Sequence, residues 1–301
     1  MSRTVGVLAT HSIWVGLVED NRLAAPALRY PEAGGEEIDL KSVPVEELIA
    51  RIRERVERVR GGAPVESVGA GFPGIVRNGV IEESPNLRQL KGMHARDELA
   101  AALRADGLDV PVLVLNDADA LAAGIAATHG HLEKLIRVWY LGDGIGFGRY
   151  PRTEGVWEAG HTVVTLDPKE RYCGCGGIGH LEGIMGHRAM RLRFLDLEPD
   201  EIFENARKGD KRCMDFVELW HRALAAATSN SIHLAGPGKF FISGLNAKLV
   251  DLQMLDQSMH EMVRMSPLQD YVFELVPGGD EIAVIGAAVN AERAAFRASH
   301  G

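Results

Sequence analysis

His161, Cys173, Cys175 and His180 fall at the spacing H-x11-C-x-C-x4-H, inside a segment, CGCGGIGH from Cys173, that is rich in glycine. Two thiolates and two imidazoles fill a tetrahedral shell and leave no open position, so a zinc ion held there would be structural rather than a source of activated water. The alternative is two buried thiols beside two unrelated histidines. Cys213, in a helical stretch, reads as an ordinary buried thiol. A second candidate is Asn116-Asp117, where an apolar strand runs straight into a helix. Open α/β sheets place ligands at the carboxyl ends of strands, and a carboxylate there can act as a general base. The same aspartate could equally serve only as a helix cap. The glycine-rich turn Gly142-Asp143-Gly144-Ile145-Gly146-Phe147-Gly148 is a third candidate, whose alternative is a tight structural turn.

The elements that must position these groups follow from periodicity. Thr4 to Val18 reads as a hairpin of two strands, and Val45 to Arg60 as an amphipathic helix. Ser67 to Phe72 is a strand ending in Pro73-Gly74, followed by a hairpin closed at Asn78-Gly79. His94 to Ala105 is a helix, Val110 to Leu115 a buried strand, and Ala118 to Thr128 a helix. The pattern restarts with a strand at Leu135 to Tyr140, the glycine-rich turn and another strand. From Asp196 onward the chain reads as helical except for one strand at Lys239 to Ser243, and Ile282 to Ala298 is an alanine-rich helix. Two strand-then-helix halves predict an α/β fold of two lobes with a cleft between them. Residues 1–117 form the N-terminal lobe, residues 118–281 the second lobe with the zinc loop, and the helix at about 282–298 packs back on the first.

The chain has 301 residues, 46% of them hydrophobic, enough for a sizeable core. With 33 Lys and Arg against 42 Asp and Glu, the formal charge is −9, and no basic run is present. That balance argues against nucleic-acid partners and anionic membranes. No apolar stretch reaches the roughly 20 residues of a membrane span, and the first residues lack signal-peptide character. The expectation is a cytoplasmic protein.

CGCGGIGHLE resembles the zinc motif of the ROK family (repressors, open reading frames and sugar kinases), usually CxCGxxGCxE, and Glu158 to His161, EAGH, resembles its ExGH element. The departure is His180 where the family has cysteine, which keeps a tetrahedral donor set. VLVLNDADALAAG resembles the family's catalytic segment. The resemblance implies the two-lobed actin-like ATPase fold, with Asn116 holding a sugar hydroxyl and Asp117 as the general base that deprotonates the attacking hydroxyl. Gly71 and Pro73, in GFPGIV, match the turn beside the sugar, and Asn86, in SPNL, a sugar-contacting position. Glu158 and Glu182 match glutamates that accept hydrogen bonds from sugar hydroxyls. A homodimer or higher oligomer, and ATP with magnesium as donor, are implied as well.

The phosphate side departs from that pattern. Where the family has DxGGT, this chain has Leu8 at the aspartate, Thr10 and His11 at the glycines and Ser12 at the threonine. An acid is lost, and side chains stand where phosphate must approach. In the family's GTGIG turn, threonine has become Asp143 before Gly144, and an anion about 4 Å from a phosphate costs roughly 4 kcal/mol at an effective dielectric near 20. The adenosine-side glycine pair is reduced to Ser243-Gly244. Three readings stand open: a sugar kinase with an altered donor site, a non-kinase sugar enzyme pairing Asp117 with His11 or Asp143, and a sugar-binding sensor without turnover. No helix-turn-helix precedes the first strand, so direct DNA binding is not expected.

Overall fold

The computed structural model describes residues 3–32, 34, 38–132, 134–153, 155 and 157–300. Two compact units emerge, one of Met1–Ile136, Gly148–Val156 and Gly278–Gly301, the other of Arg137–Phe147 and Trp157–Pro277.

The first unit begins with β1 (Arg3–Ala9) and β2 (Ile13–Glu19), an antiparallel hairpin, followed by the short β3 (Arg22–Leu23) and β4 (Leu28–Tyr30). After α1 (Val45–Arg60) come β5 (Ser67–Phe72) and a small hairpin of β6 (Ile75–Arg77) and β7 (Val80–Glu83). Asn78 and Gly79 turn that hairpin with φ of 54° and 84°, the left-handed geometry that an Asn-Gly pair supplies at little cost. Next stand α2 (Ala95–Ala105), β8 (Val112–Asn116) and α3 (Asp117–Thr128). The sheet order is β3-β2-β1-β5-β8, with β4 also on β2, and β1, β5 and β8 run parallel.

The pleat sorts side chains to two faces. Val5, Val7 and Ala9 of β1 join a core with Leu48, Ile52 and Val56 of α1 and Leu99 and Leu103 of α2. On the other face a Cβ at Gly6 would overlap the Val284 carbonyl and one at Gly69 the Ala287 carbonyl, so the C-terminal helix α9 (Asp280–His300) lies directly on backbone. Helix α3 is equally close: Gly124 abuts the Ile282 carbonyl and Gly286 the Ala120 carbonyl. This packing carries the first unit past 117, where sequence reading ended it, to Ile136. Helix α3 finds its partners in α9 and β5.

The second unit holds a sheet of order β10-β9-β11-β12, built from β9 (Ile136–Leu141), β10 (Ile145–Tyr150), β11 (Lys239–Ser243) and β12 (Val272–Leu275), the first residue of β9 and the last three of β10 being counted with the first unit. Its helices are α4 (Leu181–Met185), α5 (His187–Arg193), α6 (Pro199–Arg207), α7 (Lys211–Ala235) and α8 (Leu252–Met262). Trp139, Trp220, Phe240, Met190 and Cys213 are among its buried core. Strand β12 corrects the sequence reading, which placed a single strand after Asp196. Only four residues long, β12 leaves Val272 51% exposed at the sheet edge, too short and too wet for a clean alternation. No helix among the described residues is long and apolar enough to cross a membrane.

Candidate functional site

In the first unit the candidates gather at the carboxyl ends of β5 and β8. Register places Leu8 opposite Gly71 and Phe72 opposite Asn116. Asn116 is the N-cap of α3: its side-chain oxygen accepts from Ala118 N at 2.9 Å, satisfying one orphan helix donor. Its Nδ2 donates to the Gly74 carbonyl at 2.8 Å, tying the Pro73-Gly74 turn to the strand end. Gly74 takes φ of 106°, and a Cβ there would overlap the Glu83 carbonyl. Asp117, the first helical residue, also receives Ala118 N at 2.9 Å on Oδ1. Both side chains thus accept the same helix donor, and the Asp117 carboxylate sits at the positive end of α3. Asn86 is exposed, two residues beyond Ser84, whose Cα lies 2.8 Å from where a Gly74 Cβ would be.

The β1–β2 turn differs from a phosphate cradle. Leu8 is 3% exposed, and its Cδ1 lies 3.4 Å from where a Cβ on Gly71 would stand, so apolar packing fills the place of an acid. Thr10 N donates to the Ser12 carbonyl at 3.1 Å, and buried Ser12 Oγ accepts Trp14 Nε1 at 2.8 Å. These residues do not fit magnesium-nucleotide in the DxGGT manner. His11 is exposed. Enclosure by protein raises the Asp280 carboxyl, while the charges of His11 and Arg29 lower it.

In the second unit the four metal-ligand candidates meet. Their ligand atoms lie within 4.8 Å of one another. Cys173 Sγ is 3.3 Å from Cys175 Sγ and 3.4 Å from His161 Nδ1, and His180 Nδ1 is 3.3 Å from Cys175 Sγ and 3.4 Å from His161 Nδ1. A tetrahedral ion with bonds of about 2.0–2.3 Å to nitrogen and sulfur needs edges of about this length, so the donor set fits zinc. Burial, foremost, pushes the free Cys173 thiol up to about 12, so a thiolate there calls for a cation. Burial, then the His161 charge, lowers His180 toward the neutral form that binds metal. The loop is braced by Val164 N to Gly179 O at 2.8 Å, Leu181 N to Thr162 O at 3.0 Å, and the buried Glu170–Arg193 pair, Oε1 to Nη1 at 3.0 Å.

Both family-matched glutamates border this cluster. Glu182 Oε1 accepts from Cys173 Sγ at 3.4 Å and Oε2 from Ile145 N at 3.1 Å. Glu158 Oε2 lies 3.8 Å from His161 Nε2, the ring nitrogen turned away from the cluster. Enclosure raises the Glu158 carboxyl, His161 opposes this and Glu182 adds to it. With 41% of its side chain open to water, solvent screening keeps the effect small.

The Asp143 turn and Gly244 also come together. Gly142 N donates to Gly144 O at 3.0 Å, and Gly142 O receives His187 N at 3.0 Å and Asn246 Nδ2 at 3.4 Å. A Cβ on Gly244 would fall 2.7 Å from Leu141 O. Asp143 is exposed. Sequence reading missed Asn246, which also takes His187 Nδ1 at 3.1 Å and thereby locks the turn. It missed Asp119 as well, which accepts Arg149 N at 3.0 Å and whose carboxyl is raised by burial. Asn246 stands in no motif quoted above, and Asp119, although inside VLVLNDADALAAG, is defined by a partner thirty residues further along the chain.

A model of the ROK family matches residues 36–294. A glucokinase of Thermotoga maritima is 26% identical over 275 residues, 81% of this chain and 84% of that protein. A glucokinase of Pyrobaculum calidifontis is 28% identical over 63% of this chain and 66% of that protein, just under two thirds of its length. The crystal structure of a ROK hexokinase from Thermus thermophilus has the same fold, with a TM-score of 0.79 at 23% identity over 99% of this chain and all of that one.

Proposed function

The chain belongs to the ROK family, and on that premise we propose that it binds a hexose or hexose derivative and directs phosphoryl transfer to one of its hydroxyls. The observation that carries this reading is the Asn116-Asp117 pair at the end of β8, one member braced to the Gly74 carbonyl and the other set as the first residue of α3, its Oδ1 on Ala118 N. Asp117 takes the proton of the attacking sugar hydroxyl as its oxygen bonds to phosphorus, and the leaving group departs on the far side. By the family match, Asn116, Asn86 and the turn of Gly71 and Pro73 contact the sugar, and Glu158 and Glu182 accept hydroxyl hydrogen bonds, since each ring hydroxyl stripped of water needs a partner. His161, Cys173, Cys175 and His180 hold zinc, which fixes the loop that carries both glutamates. The same reading makes the protein a cytoplasmic homodimer or higher oligomer.

No residue is assigned to hold the phosphoryl donor, because Leu8, Thr10, His11 and Ser12 do not form the family's cradle. Leu8 packed over Gly71 favours a second reading, a sugar binder without ATP turnover or with other chemistry at Asp117, His11 or Asp143. Calorimetric titration of zinc-assayed protein with hexoses and amino sugars, with and without magnesium-ATP, separates the two. Sugar-dependent nucleotide binding supports phosphoryl transfer through a rebuilt site around Thr10, Asp143, Gly144 and Gly244. Sugar binding alone supports the second reading, and no sugar binding removes both.

A further inference from the structure

Helix α5 carries three arginines with different fates. Arg191 pairs with Glu198 at 3.1 Å, and Arg193 pairs with Glu170. Arg188 is exposed and makes no hydrogen bond or ion pair among the described residues. Its guanidinium reaches over the zinc loop instead. A Cβ built on Gly174, between the two cysteine ligands, would fall 2.6 Å from Arg188 Nη1 and 3.9 Å from Glu182 Oε1. The absent side chain at Gly174 thus keeps a path open along which a cation and a carboxylate converge. Glu182 is held by Ile145 N at 3.1 Å, so its position is set without Arg188. Asp143, exposed in the neighbouring turn, forms no ion pair with Arg188 either.

A neutral sugar calls only for amides and carboxylates such as those already named. An unpaired guanidinium beside Glu182 presents a planar fork of donors that matches a carboxylate or phosphate, and it would offset the repulsion between such a group and the glutamates. We infer that Arg188 is an anion-binding residue of the sugar site and that the substrate is an acidic hexose derivative, carrying a carboxylate or a phosphate. The inference rests on the sugar-binding reading above and narrows its substrate class.

The test is calorimetric titration of the full zinc-loaded chain with matched neutral and acidic ligands: glucose, glucuronate and glucose 6-phosphate, then the mannose and galactose counterparts. The expected result is that one acidic form binds about tenfold or more tighter than its neutral parent, as a charge-assisted contact provides. In Arg188→Gln that preference falls below about threefold, and Arg188→Lys recovers part of it. The winning acid tells carboxylate from phosphate. Equal binding of neutral and acidic forms by the wild-type chain overturns the inference and leaves the sugar reading intact, as does a preference that survives in Arg188→Gln. Failure of every sugar, neutral or acidic, overturns the sugar reading and the inference with it. Because the wild-type preference is decisive alone, poor folding of one variant does not blunt the test.

Discussion

Glu182 Oε1 accepts a hydrogen bond from Cys173 Sγ at 3.4 Å, so a candidate sugar ligand and a candidate zinc ligand share one contact. That bond needs the thiol proton, so a Cys173 that binds metal as thiolate no longer donates it, and Glu182 is then held by Ile145 N at 3.1 Å.

The protein as isolated should contain roughly one zinc per chain by elemental analysis. Cys175→Ser should lose that metal and lower Tm by on the order of 10 °C, equivalent to about 3 kcal/mol for a unit of this size. Sugar affinity should fall in parallel as the segment between Glu158 and Glu182 loosens. A metal-free chain with unchanged melting and sugar binding would remove the cluster from both roles.

Asp117→Asn should abolish turnover, by a factor of about 100 to 10,000, while sugar affinity stays within about tenfold. Steady-state rates and calorimetry on the same preparation check both halves. Full turnover in this variant would take Asp117 out of the mechanism. Asn116→Ala should instead lose about 1–2 kcal/mol of stability, because it removes the α3 cap and the tie to Gly74.

Leu8→Asp restores the acid of the family motif and should not restore a donor site. Leu8 is buried over Gly71, so an unpaired carboxylate there costs about 3 kcal/mol or more, read as a lower urea midpoint. Gain of nucleotide binding by this single change would show a pocket merely waiting for its acid.

Asp119 provides a pH test. Burial raises its carboxyl, so the folded chain holds the proton more tightly than the unfolded one. That contribution is complete below about pH 4, the unfolded value, and is lost as pH rises through the folded value. Asp119→Asn keeps an oxygen for Arg149 N and removes the titration. Denaturation between pH 3 and 7, read against wild type, should show a relative gain in stability that grows with pH. An identical pH profile would mean that Asp119 ionises freely.

Gly124→Ala and Gly286→Ala probe the α3–α9 contact. Each added methyl would strike a carbonyl of the facing helix, and a loss of about 1–3 kcal/mol or failure to fold is expected. Tm by circular dichroism reads the outcome, and a neutral effect would mean that the two helices can part without cost.

The amino-acid sequence by itself determined the local elements and the donor set. The hairpin at Asn78-Gly79, helix Val45–Arg60 and the strand-to-helix junction at Asn116-Asp117 are encoded by residues within a few positions of each other, where periodicity and turn chemistry act. That the Cys/His donors would come together was legible too, because they lie within twenty positions of one another. Tertiary structure alone decided the rest. That Leu8 fills the space over Gly71, that Asn246 bolts the Gly142 turn, and that Arg188 comes to lie over Gly174 depend on contacts whose free energy exists only after distant segments have packed. Strand β12 belongs to the same class. Four weakly patterned residues become a strand only because β11 offers its edge, with Val272 to Leu275 pairing along Lys239 to Ile242.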